Sequence, residues 1–213
     1  MDRTEQRAQQ IAHAKEHFAH HKAIFQQFDG ISTLDWRHES GSSNYYVRYV
    51  FDEDRGCLYI SGDLGSAVVQ LTERATLQNL SHYINSVDYF TEKIQCSTNL
   101  YRYDTEIAKA DFAYHFQDYE EENVDEEQEN IFDEKMSISE LVSGLLDSLD
   151  VRQGCNPTEE QCSQLSDLNP DYWEWIGDVG QYIDTRVICW LVGLQMAWEQ
   201  MQGKLVDSLS TSQ

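Results

Sequence analysis

The spacing of apolar residues divides the chain into recognisable elements. Residues 4 to 28 place apolar side chains near a 3.6-residue period, which predicts a long N-terminal helix that ends at Asp29-Gly30. Three short runs with β-strand character follow it, at 31 to 36, 45 to 51 and 57 to 60. The polar sequence DEDRG at 52 to 56 suits a hairpin turn between the last two runs. The pattern therefore predicts a small antiparallel sheet of three strands.

Helical spacing dominates the rest of the chain. It predicts helices at 66 to 84, 87 to 95 and 104 to 118. Ser137 and Glu140 form a capping-box pattern before an apolar helical face that extends to Leu149. The two prolines stand in the pairs Asn156-Pro157 and Asn169-Pro170. Because Asn is a good N-cap and Pro suits the first helical position, each pair should begin a short helix.

The last predicted helix, from about 184 to 206, carries an apolar seam with steps of four and three residues. The seam consists of Val187, Leu191, Leu194, Trp198, Met201 and Leu205. Such spacing is typical of a coiled coil. The 187–205 seam could pair with a second copy in a homodimer, or it could lie against the Leu141–Leu149 face within one chain.

Together these elements predict an α+β fold that is mainly helical, with a small three-stranded antiparallel sheet near the N-terminus and a helical C-terminal part. Residues 1 to 117 form the predicted α+β part, 118 to 135 an acidic segment and 136 to 213 the helical part. No repeat and no Pro- or Ser-rich linker separates them. The first and last parts are therefore expected to share one core.

Charge changes the picture more than hydrophobicity does. The chain has 213 residues and a formal net charge of -23, of which residues 1 to 103 contribute -3 and residues 104 to 213 contribute -20. The second half should repel nucleic acid and anionic membranes, because those partners are bound through Lys and Arg. A basic protein surface is the favoured partner.

Cysteine usage and hydropathy predict the compartment. The five cysteines are an odd number at wide spacings, and the N-terminal residues are polar rather than those of a signal peptide. No run reaches the roughly 18 apolar residues that a membrane span needs. We therefore expect a soluble protein in a reduced cytoplasm.

The most anionic stretch is 118–134, which reads DYEEENVDEEQENIFDE and contains no Lys or Arg. Its acidic residues are Asp118, Glu120, Glu121, Glu122, Asp125, Glu126, Glu127, Glu129, Asp133 and Glu134. As a helix this stretch would be about 26 Å long, with one charge roughly every 2.6 Å, whereas duplex DNA carries one per about 1.7 Å and a single strand one per about 3.4 Å. It could therefore occupy a cationic groove that binds nucleic acid. The alternative is a solvated acidic loop that only improves solubility, and the sequence leaves open whether 118–134 is helical or disordered.

Tyr172-Trp-Glu-Trp175 places three aromatic residues beside Asp171 and Asp178. Because Trp and Tyr are enriched in binding hot spots, Trp173 and Trp175 are candidate contacts to a basic partner. The alternative is that these rings cover the core of a small helical unit.

One motif suggests catalysis. His13-Ala-Lys-Glu-His17 fits the H-x-x-E-H pattern, in which His13 and His17 would bind zinc and Glu16 would act as the base. The favoured alternative is a solvated helix face that binds adventitious metal weakly. The Gly62-Asp-Leu-Gly65 turn, expected between a strand and a helix, lacks the third glycine and the lysine of phosphate-binding loops. We therefore predict no enzyme, no cofactor and no resident metal.

The size, the -20 half and the DYEEENVDEEQENIFDE stretch resemble small acidic proteins of bacteriophages and mobile elements that inhibit host nucleases, especially anti-CRISPR proteins of the DNA-mimic type. Separately, YYVRYVFDEDRGCLYISGDLGSAV is similar to uncharacterised mobile-element proteins, which implies a shared fold without a function. The first resemblance implies an inhibitor that binds the basic nucleic-acid groove of an effector such as a Cas nuclease. The alternatives are an acidic interaction or assembly module and, remotely, a zinc hydrolase that uses the H-x-x-E-H helix.

Overall fold

The computed structural model of the protein describes residues 3–121 and 137–210, with side chains at 3–117 and 137–203. The chain forms two compact units. The sheet unit consists of Thr4–Leu100 and Asp184–Gln213, and the acidic unit consists of Met1–Arg3 and Tyr101–Ile183. The chain therefore leaves the sheet unit once and returns to it with its last helix.

The sheet unit contains one antiparallel sheet of six strands. These are β1 (His21–Gln27), β2 (Ile31–His38), β3 (Val47–Asp52), β4 (Cys57–Gly62), β5 (Ala67–Gln70) and β6 (Ile94–Ser97). Their spatial order is the chain order, and each strand pairs with the next. The predicted three-stranded sheet is therefore wrong, although its three strands are present as β2, β3 and β4.

The additional strands lie where helices were predicted. Strand β1 occupies the second half of the predicted 4–28 helix, and Asp29-Gly30 is a hairpin turn rather than a helix end: Gly30 has φ 72°, and the Phe28 amide donates to the Ile31 carbonyl at 2.8 Å. Strand β5 likewise replaces the start of the predicted 66–84 helix, so the turn after Gly62 joins two strands. These segments are short, and their pairing with neighbouring strands outweighs their apolar spacing.

The helices are α1 (Arg3–His17), α2 (Leu77–Leu80), α3 (Val87–Glu92), α4 (Thr105–Glu121), α5 (Ile138–Asp147), α6 (Glu159–Leu168) and α7 (Thr185–Ser210). Among the described residues, none of them combines the length and the apolar character needed to cross a membrane.

Helix α7 packs within the sheet unit and approaches the sheet closely at Gly193. A Cβ at Gly193 would lie 2.6 Å from the Tyr49 hydroxyl oxygen and 3.3 Å from a ring carbon of Trp36. The same hydroxyl donates a 2.8 Å hydrogen bond to the carbonyl of Trp190. All three large side chains, Trp36, Tyr49 and Trp190, are buried, so the absence of a side chain at Gly193 sets the distance between helix and sheet.

The acidic unit combines helices α4, α5 and α6 with a two-stranded antiparallel sheet, β7 (Tyr101–Tyr103) and β8 (Gln181–Ile183). Its buried core consists of Ala108, Phe112, Phe116, Leu141, Leu145, Cys155, Leu165 and Val179. The predicted capping box at the start of α5 is confirmed: Ser137 Oγ accepts from the Glu140 amide, and the Glu140 carboxylate accepts from the Ser137 amide at 2.9 Å.

A short helix follows each Asn-Pro pair, namely α6 and a 3₁₀-helix at Tyr172–Glu174, but the prediction that the asparagines are the N-caps is wrong. Helix α6 is capped by Thr158, which exchanges hydrogen bonds with Gln161 in a second capping box. Asn169 is instead the C-terminal cap of α6. The reciprocal Thr158 and Gln161 bonds satisfy two amide groups, which explains why the helix begins beyond Pro157.

Candidate functional site

The predicted acidic stretch begins on helix α4. The backbone of Asp118, Glu120 and Glu121 belongs to its last turn, which ends at Glu121. The remaining acidic residues of the stretch lie outside the described residues: Glu122, Asp125, Glu126, Glu127, Glu129, Asp133 and Glu134. Whether 118–134 is helical throughout therefore stays a prediction.

Charge is distributed unevenly between the two units. By sequence, the acidic unit carries 23 Asp and Glu against 5 Lys and Arg, a net charge of -18, whereas the sheet unit carries 15 against 10, a net charge of -5. Most of the excess negative charge of the protein is thus confined to the smaller unit. A field of one sign over one compact unit attracts basic partners.

Exposed carboxylates of the acidic unit extend well beyond the predicted stretch. Within its described part, the exposed acidic residues are Glu106, Glu140, Asp147, Asp150, Glu159, Glu160, Asp167, Asp171, Glu174 and Asp178. Sequence reasoning concentrated on residues 118–134 and did not single out this group, although the -20 count of the second half already included it. The anionic surface therefore does not depend on one segment.

Two of the few basic residues in this unit are already paired. The Arg3 guanidinium donates two 2.7 Å hydrogen bonds to Asp111, which also accepts from the Gly180 amide at 2.8 Å. The hydrogen bonds that it donates to Asp111 raise the pKa of Arg3, so the pair stays charged. Lys109 contacts Glu106 at 2.7 Å. These pairs leave the other carboxylates in large excess.

The two tryptophans predicted as contact residues have different environments. The indole of Trp175 stacks on the His115 ring at 4.0 Å between centroids with an interplanar angle of 12°, and it meets the edge of Phe116 at 6.0 Å. Trp175 therefore covers the core of the acidic unit, as the alternative interpretation has it. Trp173, in contrast, is 65% exposed, so it is free to contact a partner.

Tyr114 is a further exposed aromatic residue that sequence reasoning missed. It is 68% exposed on α4, and its ring lies 5.4 Å from that of His115. Burial beside Trp175 lowers the pKa of His115, which favours a neutral imidazole in this cluster. The signal that could have identified Tyr114 is its place on α4 between the core residues Phe112 and Phe116, off their apolar face.

Five of the seven histidines form two groups in the sheet unit: His13 with His17, and His20 and His21 with His38. The His13 and His17 rings of the H-x-x-E-H motif are in contact, with their Nε2 atoms 2.9 Å apart. Within the described residues, no group of three or more His, Cys, Asp or Glu side chains could hold a metal ion. The motif thus provides two neighbouring ligands and no third from the described chain.

His21 is the buried member of the second group. Its side chain lies between Phe18, Trp36 and His38, and neither ring nitrogen has a hydrogen-bond partner among the described residues. Burial lowers the pKa of His21, although the nearby backbone of Asn44 and Tyr45 partly opposes this effect. A cavity of about 290 Å³ opens beside it, lined by Ala19, His20, His21, Lys22, Glu39 and Gln200.

The predicted 187–205 seam is largely consumed within the sheet unit. Val187, Leu191 and Leu194 are completely buried there, whereas Trp198 and Met201 are partly exposed. The side chain of Leu205 lies outside the described part. The buried residues cannot also face a second copy, so this seam gives a homodimer no support.

No protein-family model, no curated protein and no solved structure matches the chain. The function therefore has to be argued from the charge and the geometry of the chain itself.

Proposed function

We propose that the protein is an inhibitor from a phage or mobile element that acts in the cytoplasm of a bacterial host. It binds the basic nucleic-acid groove of an effector such as a Cas nuclease and blocks DNA binding by charge mimicry. The observation that carries this proposal is the concentration of negative charge in the acidic unit, -18 against -5 in the sheet unit.

Charge of this kind suits a groove that binds nucleic acid. Such a groove presents Lys and Arg side chains, and its binding of nucleic acid is driven by release of the counterions that surround the phosphates. A dense array of carboxylates also attracts counterions, so its binding to the same groove should release them in the same way. Ten exposed carboxylates in the described part of the acidic unit, together with the 118–134 stretch, supply the required excess. Opposite charges on the two surfaces increase the rate at which the protein and its partner associate, and they disfavour binding of the protein to other acidic surfaces.

Trp173 and Tyr114 add a second kind of contact to the proposal. Both rings are more than 60% exposed in the acidic unit, and exposed aromatic faces attract Arg and Lys side chains through cation–π contacts. Aromatic residues in an anionic surface therefore fit a partner that is rich in arginine. Trp175 is not part of this contact, because its ring packs on His115.

The proposal is tested by competition for DNA. A purified Cas nuclease with its guide RNA is incubated with the protein, and binding of a labelled target duplex is measured between low and high salt. We expect the protein to displace the duplex and its affinity to fall steeply with salt. Binding of the duplex that is unaffected by excess protein, or inhibition that is insensitive to salt, would contradict mimicry.

Two sets of charge variants in the acidic unit test which surface binds the effector. In the first, the acidic residues of 118–134 are changed to Asn or Gln; in the second, the exposed carboxylates of α6 and its ends, Glu159, Glu160 and Asp167, are changed in the same way. Each set should weaken inhibition. The matched control neutralises as many carboxylates of the sheet unit as the set it is compared with, and it should change inhibition little. Equal losses from both units would show that total charge, and not the acidic unit, determines binding.

A further inference from the structure

His13 and His17 lie one turn apart on α1, on a face that remains accessible. His13 is exposed and His17 is partly exposed, whereas Ala14 between them is buried against the sheet unit. Residues four apart on a helix project from the same side, so the two imidazoles are neighbours by construction. Neither residue is needed for the core, and neither takes part in the inhibitor function proposed above.

The two rings are in direct contact. Their Nε2 atoms are 2.9 Å apart, the ring centroids are 4.2 Å apart, and the rings are nearly perpendicular at 85°. The pair forms a hydrogen bond in which one ring donates and the other accepts, according to the tautomer. A metal ion that displaces the shared proton could contact both nitrogen atoms.

Tyr45 holds the His17 ring in place. The two rings are stacked at 4.3 Å with an interplanar angle of 13°. Tyr45 has φ 55°, and no other non-glycine residue of the described chain has a positive φ. Its amide donates to Asp63 Oδ2 at 2.9 Å. A strained backbone conformation that is fixed in this way and supports an imidazole is typical of a functional site.

We propose that His13 and His17 bind one divalent transition-metal ion through their Nε2 atoms. Metal–imidazole bonds are about 2.0 to 2.1 Å long, so an ion that replaces the shared proton and keeps the two nitrogens 2.9 Å apart would bind them at an angle of about 90°. That angle belongs to adjacent positions of a tetragonal or octahedral ion. A tetrahedral zinc site would need a separation of about 3.3 Å.

The proposed ligand class is therefore Cu²⁺ or Ni²⁺, which favour tetragonal nitrogen and oxygen environments. Water or a small anion completes the coordination, because the described residues offer no third side chain. This proposal concerns binding alone and assigns no hydrolysis to the site.

The test titrates the full-length protein, freed of metal with a chelator, with CuCl₂, NiCl₂ and ZnCl₂ by calorimetry. We expect one ion per chain, Ni²⁺ binding at least as tight as Zn²⁺ binding, and a tetragonal Cu²⁺ spin-resonance spectrum with splitting from two nitrogens. His13→Ala and His17→Ala should each weaken binding about tenfold or more. A spectrum of one nitrogen, or a clear preference for Zn²⁺, would overturn the proposal.

Control variants separate the pair from the other histidines. His20→Ala and His82→Ala remove exposed imidazoles of the same unit and should leave the affinity unchanged. Tyr45→Phe retains the stacked ring and should also bind normally, whereas Tyr45→Gly should bind several-fold more weakly. If His13→Ala binds as tightly as the wild type while His20→Ala does not, the site has been assigned to the wrong histidines.

Discussion

Tyr49 and Gly193 approach each other so closely that no side chain fits between them: a Cβ on Gly193 would lie 2.6 Å from the Tyr49 hydroxyl oxygen. Tyr49 belongs to β3 and Gly193 to α7, so this contact joins the sheet to the C-terminal helix. The hydroxyl cannot move away freely, because it is buried and bonded to the carbonyl of Trp190. The packing of α7 on the sheet therefore requires glycine at position 193.

We expect Gly193→Ala to lower the free energy of unfolding by about 1 to 3 kcal/mol, because the added methyl group overpacks the interface between helix and sheet. Chemical denaturation monitored by circular dichroism measures the change. Gly203→Ala on the same helix is the matched control, since a Cβ there has no neighbour within 4 Å. The control should be neutral or up to about 1 kcal/mol more stable. Equal stabilities of the two variants would contradict the close approach.

Tyr49→Phe removes the hydroxyl that a Cβ at Gly193 would meet. Alone it should cost about 1 kcal/mol, the usual net value of a buried hydrogen bond. In this background Gly193→Ala should be less harmful, because the nearest obstructing atom is gone. A double-mutant cycle should therefore give a coupling of about 0.5 kcal/mol or more. Strict additivity would mean that the methyl group is accommodated elsewhere.

His21 should make the sheet unit sensitive to acid. Burial lowers its folded-state pKa from the ordinary 6.5, so the unfolded chain binds a proton more readily than the folded one. The stability that neutral His21 contributes is complete above about pH 6.5 and is lost as the pH falls through that value. His38, which faces the ring across β1 and β2, acts in the same direction.

Denaturation at several pH values between 5 and 8 tests this dependence on His21. His21→Phe cannot be protonated and suits the aromatic surroundings, so its stability should fall less between pH 7 and pH 5 than that of the wild type. His82→Gln, at an exposed position, should behave as the wild type does. A slope that is unchanged in His21→Phe would assign the acid sensitivity to other groups.

The two tryptophans should differ in their contribution to the stability of the acidic unit. Trp175→Ala removes the ring that packs on His115 and Phe116, and we expect a loss of about 2 to 3 kcal/mol. Trp173→Ala, at 65% exposure, should change the free energy of unfolding by less than about 0.5 kcal/mol. Thermal unfolding of both variants is the measurement, and a larger loss for Trp173→Ala would reverse their assigned roles.

Signals that depend on a few adjacent residues could be predicted from the sequence. The capping box of Ser137 and Glu140, the helices α4 and α7, and the hairpin over 52–56 all follow from groups within one turn of each other. For the acidic surface, the sequence predicted the net negative charge of the second half but not which carboxylates outside 118–134 are exposed. Which of Trp173 and Trp175 is exposed could not be predicted, because the two stand in one short acidic and aromatic run and the difference lies in what packs on each ring.

The excess of negative charge, its place in the chain and the capped start of α5 follow from the sequence alone. That His21–Gln27 and Ala67–Gln70 are strands depends on tertiary structure, because the hydrogen-bond partners of a strand lie in other segments. The approach of Gly193 to Tyr49 and the stacking of His17 on Tyr45 depend on it as well, since these contacts join residues far apart in the chain. Local propensity is worth at most about 1 kcal/mol per residue, so pairing and burial contributed by distant residues determine the outcome.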